Sequence, residues 1–156
     1  MALTVTEHPI SVLEFAQEVT IDARREKVFD VVTQHVGEWF TPRFIKGTKV
    51  IAEPWVGGRL YEDAGDGAGI LWDICTGYVP PSYVSYESPW GFADGAATIV
   101  VTYNFAEADG GKTTLKSKHK IIGSITEEAR KGYEAHLATP EMSLEKLLND
   151  YIATLD

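Results

Sequence analysis

Apolar and polar positions divide the chain into three stretches. Residues 14–22 place Phe15, Val19 and Ile21 on one parity, interrupted by Gln17, which predicts a strand. Asp22 is then placed to cap a helix starting near Arg24, in which Val28, Phe29, Val32 and Val36 recur at helical spacing. The segment Glu38-Trp39-Phe40-Thr41-Pro42 ends it, because proline drives the residue before it out of the helical region.

Residues 44–122 read as a meander of extended runs: 49–53, 58–63, 70–78, 83–87, 98–105 and 113–122. Glycine and proline clusters separate them, and Ala108-Asp-Gly-Gly is a hairpin turn joining the last two. Short connections imply antiparallel pairing. Lys116, Lys118 and Lys120 alternate and belong in water, so Leu115, Ser117, His119 and Ile121 must point inward. Ile99, Val101, Tyr103 and Phe105 are the matching inner set of the preceding strand.

The C-terminal third reads as helical. Ser124 and Thr126 are candidate caps, and Leu144, Leu147, Leu148, Tyr151, Ile152 and Leu155 form an apolar stripe. Thr139-Pro140 either kinks one helix or starts a second.

Composition narrows the function. A chain of 156 residues and 17.2 kDa fits one domain with a large enough core to fold without disulfides. Its net charge of -9 argues against nucleic acid as a partner and against anionic membrane surfaces. The single cysteine, Cys75, excludes an internal disulfide and a multi-thiolate zinc site. No run is long enough for a membrane span, and the first residues lack a basic start and an apolar stretch, so the cytoplasm is the expected address.

Phosphate loops, dinucleotide fingerprints and serine nucleophile elbows do not occur, and His8, His35, His119 and His136 are scattered. Neither a cofactor nor a metal is implied. Trp39, Phe40, Trp55, Trp72, Trp90, Phe92, Tyr103 and Tyr133 are many large rings, which either fill the interior or line a pocket. Trp90 and Phe92 lie in a turn-rich loop and suggest a gate or contact surface. His119 is the candidate acid or base, with Ser117 beside it; the plainer role is a core imidazole held by a neighbour. Arg59 could grip a ligand carboxylate or pair with Glu62 or Asp63 on the solvent face. Cys75 has parity opposite to Trp72 and Ile74 and reads as a structural thiol.

Several motifs resemble the START-like (SRPBCC) superfamily. Ile21-Asp-Ala-Arg-Arg-Glu-Lys-Val-Phe-Asp30 is similar to its opening signature. Glu38-Trp-Phe40, Gly57-Gly-Arg59, Gly77-Tyr-Val-Pro-Pro81, Val84-Ser-Tyr86, residues 110–119 and Gly132-Tyr133 resemble the branch of activators of the heat-shock chaperone ATPase (Aha-type). Departures are Pro140 within 137–143, where a continuous helix is usual, and Tyr133 in place of a common tryptophan. The resemblance implies an α+β, helix-grip (Bet v-type) fold, with about seven antiparallel strands curved around a long C-terminal helix. It implies one such domain over 14–156, preceded by an extension over 1–13. It also implies a cavity for a small apolar or amphipathic molecule of lipid, polyketide or aromatic type. Trp39, Phe40, Arg59, Trp72, Trp90, Phe92, Val101, Tyr103, Ser117, His119 and Tyr133 are the candidate ligand-binding residues. Alternatives are a cyclase, dehydratase or hydrolase using the same cavity, and a protein-interaction module of the chaperone-activator type. The extension is a candidate surface for a protein partner or a homodimer.

Overall fold

The computed structural model describes residues 2–89, 96–138 and 143–155. Within them, β1 (Ser11–Ile21) leads into α1 (Arg25–Gln34) and the short α2 (Val36–Trp39). The meander follows as β2 (Lys49–Ala52), β3 (Arg59–Gly65), β4 (Ala68–Val79), β5 (Tyr83–Pro89), β6 (Ala97–Ala108) and β7 (Lys112–Gly123). Two helices complete the described chain, α3 (Glu127–Ala138) and α4 (Leu144–Ala153).

All seven strands form one antiparallel sheet in the order β1-β7-β6-β5-β4-β3-β2. The meander therefore pairs neighbour with neighbour, and the chain's first strand closes onto its last. Tight turns make this possible. Asp66 and Gly67 both take positive φ between β3 and β4, as a two-residue hairpin requires, and Gly110 and Gly111 do so between β6 and β7.

One face of the sheet is apolar and covered by α1, α2 and α4. Ile21, Val84, Phe105 and Leu115 meet Val28, Phe29 and Val32 of α1 and Leu144, Leu148 and Ile152 of α4 in one core. The alternation of β7 is as expected: Leu115, Ser117 and Ile121 are buried while Lys116, Lys118 and Lys120 are exposed. The lysines meet carboxylates of β1, Lys116 with Glu18 and both Lys118 and Lys120 with Glu14. Asn149 ties α4 to the sheet by accepting from the Asp22 amide at 2.8 Å and donating to the Thr20 carbonyl at 3.4 Å. At the outer end of α4, the Tyr151 hydroxyl donates to Glu38 at 3.0 Å.

Some expectations change. The sheet starts three residues earlier than the apolar pattern suggested, at Ser11, because Leu13 continues the inward parity of Phe15. Asp22 does not cap α1; Arg24 holds the cap position without a side-chain bond, and the Asp22 carboxylate instead lies 3.8 Å from Lys112. Of the two candidate caps for α3, Thr126 accepts from the Ala129 amide at 3.1 Å. The C-terminal stretch contains two helices, α3 and α4, with Ser143 capping the second. Pro140 itself lies outside the described residues. Among the described residues no helix is long and apolar enough to cross a membrane.

Candidate functional site

Between the sheet and α4 lies a cavity of about 390 Å³. Trp39 and Phe40 enter it from the end of α2, Trp72 from β4, Val101 and Tyr103 from β6, His119 from β7 and Tyr133 from α3. Leu144 and Leu147 of α4 form the opposite wall. Sheet curvature explains the volume, since one narrow helix cannot fill a concave seven-stranded face.

The rings are held by their own contacts. The Trp39 indole donates to the Val31 carbonyl at 3.0 Å, which fixes that ring against α1. Phe40 meets Trp39 and Trp72 edge-on, with centroids 6.0 Å and 5.9 Å apart. Trp72 is oriented by Glu62, which is fully buried and accepts from the Trp72 indole at 3.1 Å. The same carboxylate accepts from the backbone amides of Phe44 (2.7 Å) and Ile45 (2.9 Å) and from Thr48 (2.9 Å). Burial pushes the Glu62 pKa up, but these four donors outweigh it and hold the group below the ordinary carboxylate value. Glu62 thus binds the 44–48 turn, whose Phe44 lines the cavity, to the sheet.

The polar groups gather at one end. His119 and Tyr133 hydrogen-bond through the imidazole Nδ1 and the phenol, and Tyr103 sits edge-on to the imidazole with centroids 6.3 Å apart. Asp73 and Ser88 join them, the Ser88 hydroxyl donating to an Asp73 carboxylate oxygen. Burial raises the Asp73 pKa to about 6, with the Ser88 bond opposing. Burial raises the Tyr103 phenol as well, and the Asp73 charge adds to it. The Tyr86 and Tyr133 phenols are raised chiefly by burial too, so all three stay protonated at neutral pH.

A second chamber of about 430 Å³ lies between β1, β7 and α3. Gln17 and His119 line both chambers. Ser117 faces the second one, and its buried hydroxyl has no hydrogen-bond partner.

Seven of the expected residues thus converge on the main cavity, and Ser117 on its neighbour. Arg59 does not join them. It is exposed on the outer face, paired with Glu53 at 2.6 Å and stacked on Tyr61 at 4.6 Å, because β3 turns Leu60 and Glu62 inward instead. Its partner is neither Glu62 nor Asp63. Trp55 is also exposed. Trp90 and Phe92 lie outside the described residues.

Asp73 and Ser88 were missed. Strict alternation puts Cys75 on the face opposite Trp72, but both are inside. The register passes from Leu60↔Asp73 to Tyr61↔Leu71, so Trp72 is an extra residue in β4 and the parity flips there. The available signal was the lone carboxylate within Ile70-Leu-Trp-Asp-Ile-Cys75, an expensive residue in an apolar run.

The sequence profile of the activator of Hsp90 ATPase homolog 1-like proteins matches residues 22–149. The chain belongs to that family. No curated protein matches it significantly. Solved structures share the fold. A Mesorhizobium loti protein is 22% identical, with a TM-score of 0.67 over 92% of this chain and 99% of that one. A Staphylococcus aureus protein of unknown function is 17% identical, with a TM-score of 0.66 over 94% and 97%. The di-domain ARO/CYC protein BexL from the BE-7585A biosynthetic pathway is 22% identical, with a TM-score of 0.60 over 90% of this chain and 50% of that one. The fold is the helix-grip α+β arrangement of this family.

Proposed function

We propose that the protein binds a small apolar or amphipathic molecule, of lipid, polyketide or aromatic type, between the sheet and the C-terminal helix. The observation that carries this is a cavity of about 390 Å³ with aromatic and aliphatic walls and polar groups converging at one end. That volume suits a drug-sized ligand, and such a lining rewards apolar burial while fixing orientation. Superfamily members bind hydrophobic ligands or act as polyketide cyclases, which agrees with either use of the cavity.

Asp73 favours a second reading, acid–base chemistry on a bound carbonyl compound. A carboxyl with pKa about 6 shares the cavity with a hydrogen-bonded imidazole–phenol pair, which sets candidate acid–base groups around a bound molecule. His119 and Asp73 would be the candidate groups.

Native mass spectrometry of freshly purified protein tests the binding reading. A co-purifying small molecule, or stoichiometric uptake of an apolar fluorescent dye that Leu147→Trp blocks, is the expected result. Dye uptake unaffected by Leu147→Trp would place binding elsewhere and defeat it.

A further inference from the structure

We propose that the cavity is selective for a cation: an amine or quaternary ammonium on an apolar body, seated among the rings with its charge toward Asp73. This deepens the binding reading above and rests on it.

The carboxylate is the first argument. One Asp73 oxygen accepts from Ser88, and among the described residues the other accepts no hydrogen bond, although the side chain lines the cavity. A half-buried carboxylate that lines an apolar cavity and is given one neutral donor is poorly compensated. A cation in the cavity would complete it.

The walls are the second. Phe40, Trp72, Tyr86 and Tyr103 line the same cavity, and ring faces attract cations, most strongly when water is excluded. Rings flanking a carboxylate thus combine two attractions for the same charge.

The third is what an anion would meet. Among the described residues, no lysine or arginine lines either chamber. Arg59 is engaged outside with Glu53. Arg43 lies over the Trp72 ring at 5.9 Å, but it donates to the carbonyls of Gly37, Phe40 and Pro42 and does not line the cavity. A fatty-acid carboxylate or a phosphate would therefore face Asp73 unneutralised. In the second chamber, Glu14 is paired with Lys118 and Lys120 and Glu134 with Arg130, which leaves Asp73 as the deciding charge. The net charge of -9 adds a long-range pull on cations.

The test titrates the native protein at neutral pH with three probes of similar size: benzyltrimethylammonium, 2-phenylethanol and phenylacetate. Calorimetry should show the ammonium binding about tenfold or more tighter than the alcohol, with phenylacetate weakest. Asp73→Asn should reduce the ammonium's advantage over the alcohol to about twofold or less. Alcohol binding equal to or tighter than ammonium binding would overturn the inference while leaving the cavity reading intact. So would an Asp73→Asn protein that kept the preference. Failure of all three probes to bind would overturn both together. The native comparison requires no variant to fold.

Discussion

Trp72 and Asp73 are consecutive in the chain, yet both face the cavity. Regular strand geometry would send them to opposite faces. The extra residue in β4 cancels that alternation and lodges a carboxylate among rings, opposite Ser88 of the adjoining strand.

This placement has a cost that depends on pH. The Asp73 pKa is raised from 3.8 to about 6, so the folded state holds the proton more tightly than the unfolded chain. Ionisation therefore removes stability as pH rises from about 4 to 6, and the loss is complete above that window. Asp73→Asn should be more stable than the native protein at pH 7, by up to about 3 kcal/mol, with the gain vanishing below pH ~4. Urea denaturation at both pH values checks this. A native advantage at pH 7 would show that Asp73 is compensated in the fold.

Glu62 should behave in the opposite sense. Its folded pKa lies below the ordinary value of 4.5, so its contribution is present above that value and lost as pH falls through the folded one. Glu62→Gln sets an amide N–H₂ against donors and should cost about 2–4 kcal/mol at neutral pH. Denaturant midpoints at pH 7 and pH 3.5 should show the penalty shrinking under acid. A constant penalty would mean that packing, not the charge, is what Glu62 supplies.

Leu147 and Leu148 are adjacent on α4 but play different parts. Leu148 is fully buried in the core, whereas Leu147 lines the cavity. Leu148→Ala should destabilise by about 2–5 kcal/mol. Leu147→Ala should cost less than half as much while altering affinity for an apolar dye. Melting curves with and without dye separate the two effects; equal destabilisation would indicate that the wall of α4 is ordinary core.

His119 and Tyr133 are joined by a hydrogen bond across the cavity's polar end. With an identified substrate, His119→Ala should lower kcat about 10²-fold or more, and Tyr133→Phe should lower it less. Both should remain folded by circular dichroism. Unchanged turnover in His119→Ala would remove the imidazole from the chemistry.

Much of the architecture was legible in the chain because it depends on local rules. Alternation placed Lys116, Lys118 and Lys120 outside and Leu115, Ser117 and His119 toward the interior. Glycine clusters marked the hairpins, where Gly67, Gly110 and Gly111 take positive φ, and the apolar stripe from Leu144 onward marked the helix that the sheet grips. These features repeat over neighbouring residues, so each residue reports on the next. The site depends on contacts between distant segments. The bulge at Trp72 follows from how β3 and β4 pair, which no single strand records. Arg59 found Glu53 because the inward side of β3 belongs to Leu60 and Glu62. The volume itself exists only because a curved sheet and a helix cannot fill the space between them. By itself the sequence determined the order of elements and which face of most strands is apolar; tertiary structure decided which polar atoms that hollow would contain.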